Sequence, residues 1–85
     1  MSQLADCKSM LISAEQRSDM WFDKEQNLDI VLETMEIFLD SESIVEILER
    51  VKEEYSKPTF KEEYIKNTML NYLNVKIHWY KNHQM

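Results

Sequence analysis

Through most of the chain, apolar residues recur three and four positions apart, the repeat of a helix that buries one face. The clearest run is Leu28, Val31, Leu32, Met35, Phe38 and Leu39, which share one side of a helix read from Lys24 to Leu39. Asp23, three before Gln26, gives it a helix-start signal. A narrower stripe of Leu4, Cys7, Leu11 and Ala14 predicts a first helix over Leu4 to Arg17, and Ser13 with Gln16 leaves open a break inside it. Between the two, Met20-Trp21-Phe22 reads either as a connection whose rings plug one end of the core or as an extension of the first helix.

Asp40-Ser41-Glu42-Ser43 is a stop-and-restart signal, because short oxygen-bearing side chains satisfy the free N–H groups of a new first turn. Two starts are open: Ser43 paired with Glu46, or Asp40 as the cap with Leu39 stapled onto Ile44. Ile44, Ile47, Leu48, Val51 and Tyr55 then form the inward stripe of a third helix. Ser56-Lys57-Pro58-Thr59 is a boundary, since proline turns the preceding residue away from helix, and Thr59 with Glu62 suits a capping box. A fourth helix from Phe60 to Asn82 would be about 34 Å long. The expected fold is therefore all-α: a small antiparallel bundle of three to four helices with a long C-terminal helix, in one domain over residues 1–85.

The fourth helix has more apolar surface than one buried face needs. Winding at about 100° per residue sets Asn67, Asn71, Asn74, His78 and Lys81 on a single wet strip. Two apolar rows remain. One carries Ile65, Met69, Tyr72 and Trp79, interrupted by Lys76; the other carries Leu70, Leu73, Ile77 and Tyr80. Together they approach two-thirds of the circumference, where a surface helix shows a little over one-third. Either the helix lies centrally in its own bundle, or the second row meets another chain, most simply in a symmetric homodimer. On the second helix, Ile30 and Ile37 project to the back around Thr34 as a smaller contact candidate.

Composition narrows the class. Glycine is absent and the sole proline is Pro58, which disfavours tight hairpins and favours helices. A single cysteine, Cys7, allows no internal disulfide and suits a reducing, cytoplasmic setting. Apolar runs of three residues are far too short for a membrane span. The net charge of −6 argues against nucleic acid as the default partner. That charge is unevenly spread: residues 23–54 hold eleven acids and three bases, whereas residues 64–85 hold three lysines and no acid. Helix dipoles explain much of this. The acidic edge formed by Asp29, Glu33, Glu36 and Asp40 is also a candidate docking stripe for a basic surface.

Catalytic and metal chemistry find no foothold. His78 and His83 are five apart and do not share a helix face, no Glu-x-x-His motif occurs, and Cys7 lacks partners at zinc spacing. Phosphate-loop and nucleophile-elbow motifs are absent, so no enzyme, cofactor or metal is expected. In size and composition alone, the chain resembles small helical immunity and inhibitor proteins and phage-encoded regulators. The expected function is a small acidic protein–protein interaction module, a regulator, inhibitor or adaptor. Tyr72, Trp79 and Tyr80 are its candidate anchors, because Trp and Tyr dominate interface hot spots. The alternative is a nucleic-acid-linked role, either binding through the Lys/His/aromatic end around Lys76, Trp79, Lys81 and His83 or mimicry by the acidic middle.

Overall fold

Among the described residues, four helices follow one another: α1 (Gln3–Gln16), α2 (Trp21–Phe38), α3 (Ser41–Tyr55) and α4 (Glu63–Asn82). The structure, a computed structural model, describes residues 3–59 and 62–83, with side chains from residue 6 onward. The first helix is unbroken through Ser13, so the Ser13–Gln16 restart is not used. Cys7, Leu11 and Ala14 of its stripe are buried, and the Leu4 side chain lies outside the described residues.

Two boundaries differ from the sequence-based expectation. Helix α2 starts at Trp21, so Trp21 and Phe22 form its first turn and belong neither to a connection nor to α1. Met20 precedes that turn in an extended conformation without a side-chain cap. The early start has tertiary causes: the Trp21 ring lies edge-on to Tyr72 of α4, with centroids 5.9 Å apart, and Lys24 turns inward to Glu15. Helix α4 starts at Glu63, with Glu62 at its N-cap and no side-chain capping bond; the Thr59–Glu62 box does not form, and Phe60 lies outside the described residues. Glu62, Glu63 and Tyr64 are exposed, and Ile65 is the first α4 residue to touch the core.

At the α2–α3 junction Asp40 is the cap. Its Oδ1 accepts from the Ser43 N–H at 2.8 Å, and this bond holds its carboxyl below the usual range. Leu39 packs against the core just before it.

Helix α3 is central, packing on α4, α1 and, more lightly, α2. Its inward stripe of Ile44, Ile47, Leu48, Val51 and Tyr55 is buried as the spacing predicts. Leu11, Leu28, Met35, Met69 and Leu73 close on it from the other three helices. Phe38, at the rim of the α2 stripe and on its last residue, is exposed instead. Both predicted α4 rows turn toward this core. Leu73, Ile77 and Tyr80 are buried and Leu70 is half-buried within the chain, so internal packing accounts for the row that was also a candidate seam between subunits. Asn67, Asn71, Asn74, His78 and Lys81 are exposed, as expected.

A buried polar group ties α1, α2 and α3 together. Lys24 Nζ donates to Glu15 Oε2 at 2.8 Å and to the Glu15 carbonyl at 2.5 Å, while the Tyr55 hydroxyl donates to Glu15 Oε1 at 2.6 Å. Both charged residues are 5 % exposed. Burial, then the bond and charge of Glu15, push the Tyr55 phenol well above its ordinary value.

Candidate functional site

Helices α2 and α4 lie side by side, yet among the described residues no Cα of one comes within 8 Å of a Cα of the other. Long side chains span the gap. Tyr72 reaches from α4 and donates its hydroxyl to Asp29 Oδ1 on α2 at 2.6 Å. Lys76, one turn further along α4, places Nζ 3.4 Å from the same oxygen and 5.4 Å from the Tyr72 ring centroid. The wide spacing leaves a trough above these bridges.

Three depressions of about 280, 340 and 490 Å³ succeed one another along it. The first is bounded by Trp21, Glu25, Asp29, Tyr72 and Val75; the second by Asp29, Glu33, Glu36, Val75 and Trp79; the third by Glu36, Asp40, Glu42, Trp79, Tyr80 and His83. The α2 wall is carboxylate after carboxylate. The α4 wall mixes Thr68, Asn71 and Lys76 with aromatic and aliphatic side chains, of which Val75 is 57 % and Trp79 47 % exposed. Trp79 stands edge-on to Tyr80, centroids 4.9 Å apart, and the His83 ring stacks on Trp79 at 4.0 Å. His83 Nδ1 donates to the Trp79 carbonyl at 2.7 Å, which fixes that stack.

The acids impose a negative field on this wall. Burial pushes the Tyr80 phenol up first, and the charge of Glu36 and a hydrogen bond to it, with Asp29 and Glu33 behind, add to the rise. Tyr72 is raised in the same way, by burial and then by its bond to Asp29. A protonated phenol is thus retained where it donates to a carboxylate.

The sequence-derived candidates divide only in part. Asp29, Glu33, Glu36 and Asp40 meet Tyr72, Trp79 and Tyr80 at this trough, with Asp40 also serving as the α3 cap. Leu70, Leu73 and Ile77 lie in and around the core, and Tyr72 and Tyr80 are buried with them, so that of the three aromatic candidates only Trp79 is exposed. The surplus apolar surface of α4 therefore exists, but on the edge of Val75 and Trp79 that borders the trough, with Tyr64 exposed near the start of the helix. Sequence reasoning missed Trp21 and Val75 as lining residues. It also missed the Glu15–Lys24 pair, although Lys24 stands four before Leu28 on the inward stripe of α2, and Glu15 four after Leu11 on that of α1. Charges on two facing apolar stripes were the available signal.

Beyond the acid wall, Phe22, Ile30 and Ile37 form an exposed ridge on the back of α2, Ile37 being 79 % exposed. A larger depression, about 750 Å³, lies instead between α3 and α4. Some of the long charged side chains that border it are already engaged, Lys81 with Glu49 at 3.7 Å and Lys57 with Glu54, outside the lining, at 3.2 Å, and its lining residues include no aromatic. Size alone does not make it the better site, since binding energy concentrates on desolvated aromatic and arginine anchors. Among the described residues, no group of three or more His, Cys, Asp or Glu is placed to hold a metal ion, and no helix is long and apolar enough to cross a membrane. Comparisons of the chain with protein-family models, with curated proteins and with solved structures gave no match.

Proposed function

We propose that this small antiparallel bundle is a cytosolic protein–protein interaction module, a regulator, inhibitor or adaptor that docks the α2–α4 trough on a basic surface of a partner protein and occludes it. One observation carries the reading: the acidic edge of α2 and the aromatic anchors of α4, on helices far apart in sequence, form the two walls of one trough. The two walls have complementary uses. Complementary charge speeds encounter and sets orientation, while burial of Trp79 and Val75 holds the complex. A symmetric homodimer over the same surface is less favoured, because it would set Glu33 and Glu36 of one copy near those of the other.

The test compares two charge reversals on opposite sides of α4. Glu36→Lys should release the captured partner and Glu53→Lys should not, each checked for folding by circular dichroism. Equal retention by both variants would remove the trough from consideration. A partner that is itself a nucleic-acid-binding protein, displaced by DNA, would favour mimicry by the acidic wall. Direct nucleic-acid binding by the C-terminal end has less support, since Lys76 and Lys81 already face Asp29 and Glu49.

A further inference from the structure

The trough contains a unit that recurs at a step of seven residues. In the first unit Asp29 of α2 faces Tyr72 of α4, and Lys76 brings its ammonium to both, 3.4 Å from the carboxylate and 5.4 Å from the ring centroid. Seven residues on, Glu36 stands for Asp29, Trp79 for Tyr72 and His83 for Lys76. Because the paired residues advance together on both helices, a seven-residue step is about two turns, near 10.5 Å, on each. Glu36 and Trp79 accordingly border the same two depressions.

The units differ in two respects: the Tyr72 phenol donates to Asp29, whereas Glu36 is served by Tyr80 and not by Trp79, and their cations are placed differently. The first holds a cation of the chain itself, so the structure displays which group a carboxylate on α2 and a ring on α4 accept between them. In the second, His83 does not reach across: its ring lies flat on Trp79 and its Nδ1 is committed to the Trp79 carbonyl. Among the described residues no cationic nitrogen lies within 4 Å of Glu33 or Glu36. Lys76 also lines the depression that holds Glu33 and Glu36, but its ammonium is engaged with Asp29.

We infer that Glu36 and Trp79 form the seat of an arginine side chain presented by the partner protein, the anchor of the docking described above. Arginine fits better than lysine. A planar guanidinium stacks on an indole and donates in a fork to a carboxylate, and it is less strongly hydrated than an ammonium. Glu33, one turn before Glu36 on the same wall, adds its charge, and Val75 shields the stem. The inference rests on the trough being the docking surface, and it names the chemistry of what docks.

Both tryptophans of the chain border the trough, one at each end, which makes their indole N–H signals reporters of occupancy. The probe is acetyl-arginine methylamide titrated into the intact protein, with proton–nitrogen shift mapping. Its uncharged citrulline counterpart is the control. The expected result is a saturable shift of the Trp79 indole and of the amides from Glu33 to Glu36, at least about fivefold tighter for arginine than for citrulline. Glu36→Gln, on an exposed residue, should abolish that preference without altering the fold. Lys76→Met should open the first unit as well, so that the Trp21 indole begins to respond. Equal binding of arginine and citrulline, or shifts unaffected by Glu36→Gln, would overturn the assignment. Should that happen while Glu36→Lys still releases the captured partner, the arginine seat is wrong and the docking trough stands.

Discussion

The same three residue types, a lysine, a carboxylate and a tyrosine, are assembled twice in this small protein. Lys24, Glu15 and Tyr55 join α1, α2 and α3; Lys76, Asp29 and Tyr72 join α2 and α4. In both, the phenol donates to the carboxylate at 2.6 Å. The lysine lies 2.8 Å from its acid in the first and 3.4 Å in the second. Their surroundings separate them. Side chains of the first pair are 6 % and 7 % exposed, those of the second 33 % and 43 %. Out of water, a charge left without its partner is severely penalised, so the buried trio acts as a pin. At the surface, water replaces either partner of the second ion pair at little loss. Burial of the ion pair, not residue identity, separates the two trios.

The sharpest way to break this comparison is to remove each lysine. Lys24→Met leaves Glu15 charged in the core and should cost about 3–5 kcal/mol in urea unfolding, a large part of the stability of so small a domain. A loss no greater than that of the matching surface change would show that the buried trio is not a pin.

The phenols provide an intermediate test. Tyr55→Phe should cost about 1–3 kcal/mol at neutral pH, because Glu15 loses a bond that water cannot replace. The sign of the pH dependence follows from the raised phenols. Tyr55, Tyr72 and Tyr80 hold their protons more tightly when folded, so their contribution is complete below the unfolded value of about 10 and is lost as pH climbs above it. Unfolding midpoints should therefore fall on the alkaline side, and less steeply in Tyr55→Phe. An alkaline limb identical in wild type and variant would contradict the placement of that phenol.

The smallest effect belongs to Lys76→Met, under about 1 kcal/mol and smaller still in high salt, since both partners are more than one-third solvated or close to it. A loss comparable with that of Lys24→Met would mean that the trough is as much a part of the core as the pin.

Much of the fold can be read from spacing alone. The stripe on α3 fell where its three- and four-residue steps put it, and so did the wet strip of Asn67, Asn71, Asn74, His78 and Lys81. The failures share a cause. Trp21 opens α2 because a ring on another helix receives it, and Lys24 turns inward because Glu15 of α1 lies buried opposite it. Capping motifs describe a helix in isolation and contain no information about such partners. The candidate site was half legible: its acids and aromatics were identified, but as two unrelated groups.

Periodicity, composition and charge settled that the chain is helical, which residues of α3 turn inward, and that acids and aromatics are concentrated on particular helix edges. Those properties are local, each set by neighbours within a turn or two. Which edges face each other depends on how four helices pack around Leu11, Leu28, Leu48 and Leu73, a choice made by side chains distant in sequence. Packing put Leu70, Leu73 and Ile77 on the inner side of α4 and left Val75 and Trp79 beside the α2 carboxylates. It also sank one lysine–carboxylate pair while leaving its twin partly in water, although the tyrosine of each trio is buried, because burial is a property of the assembled layers and of no single helix.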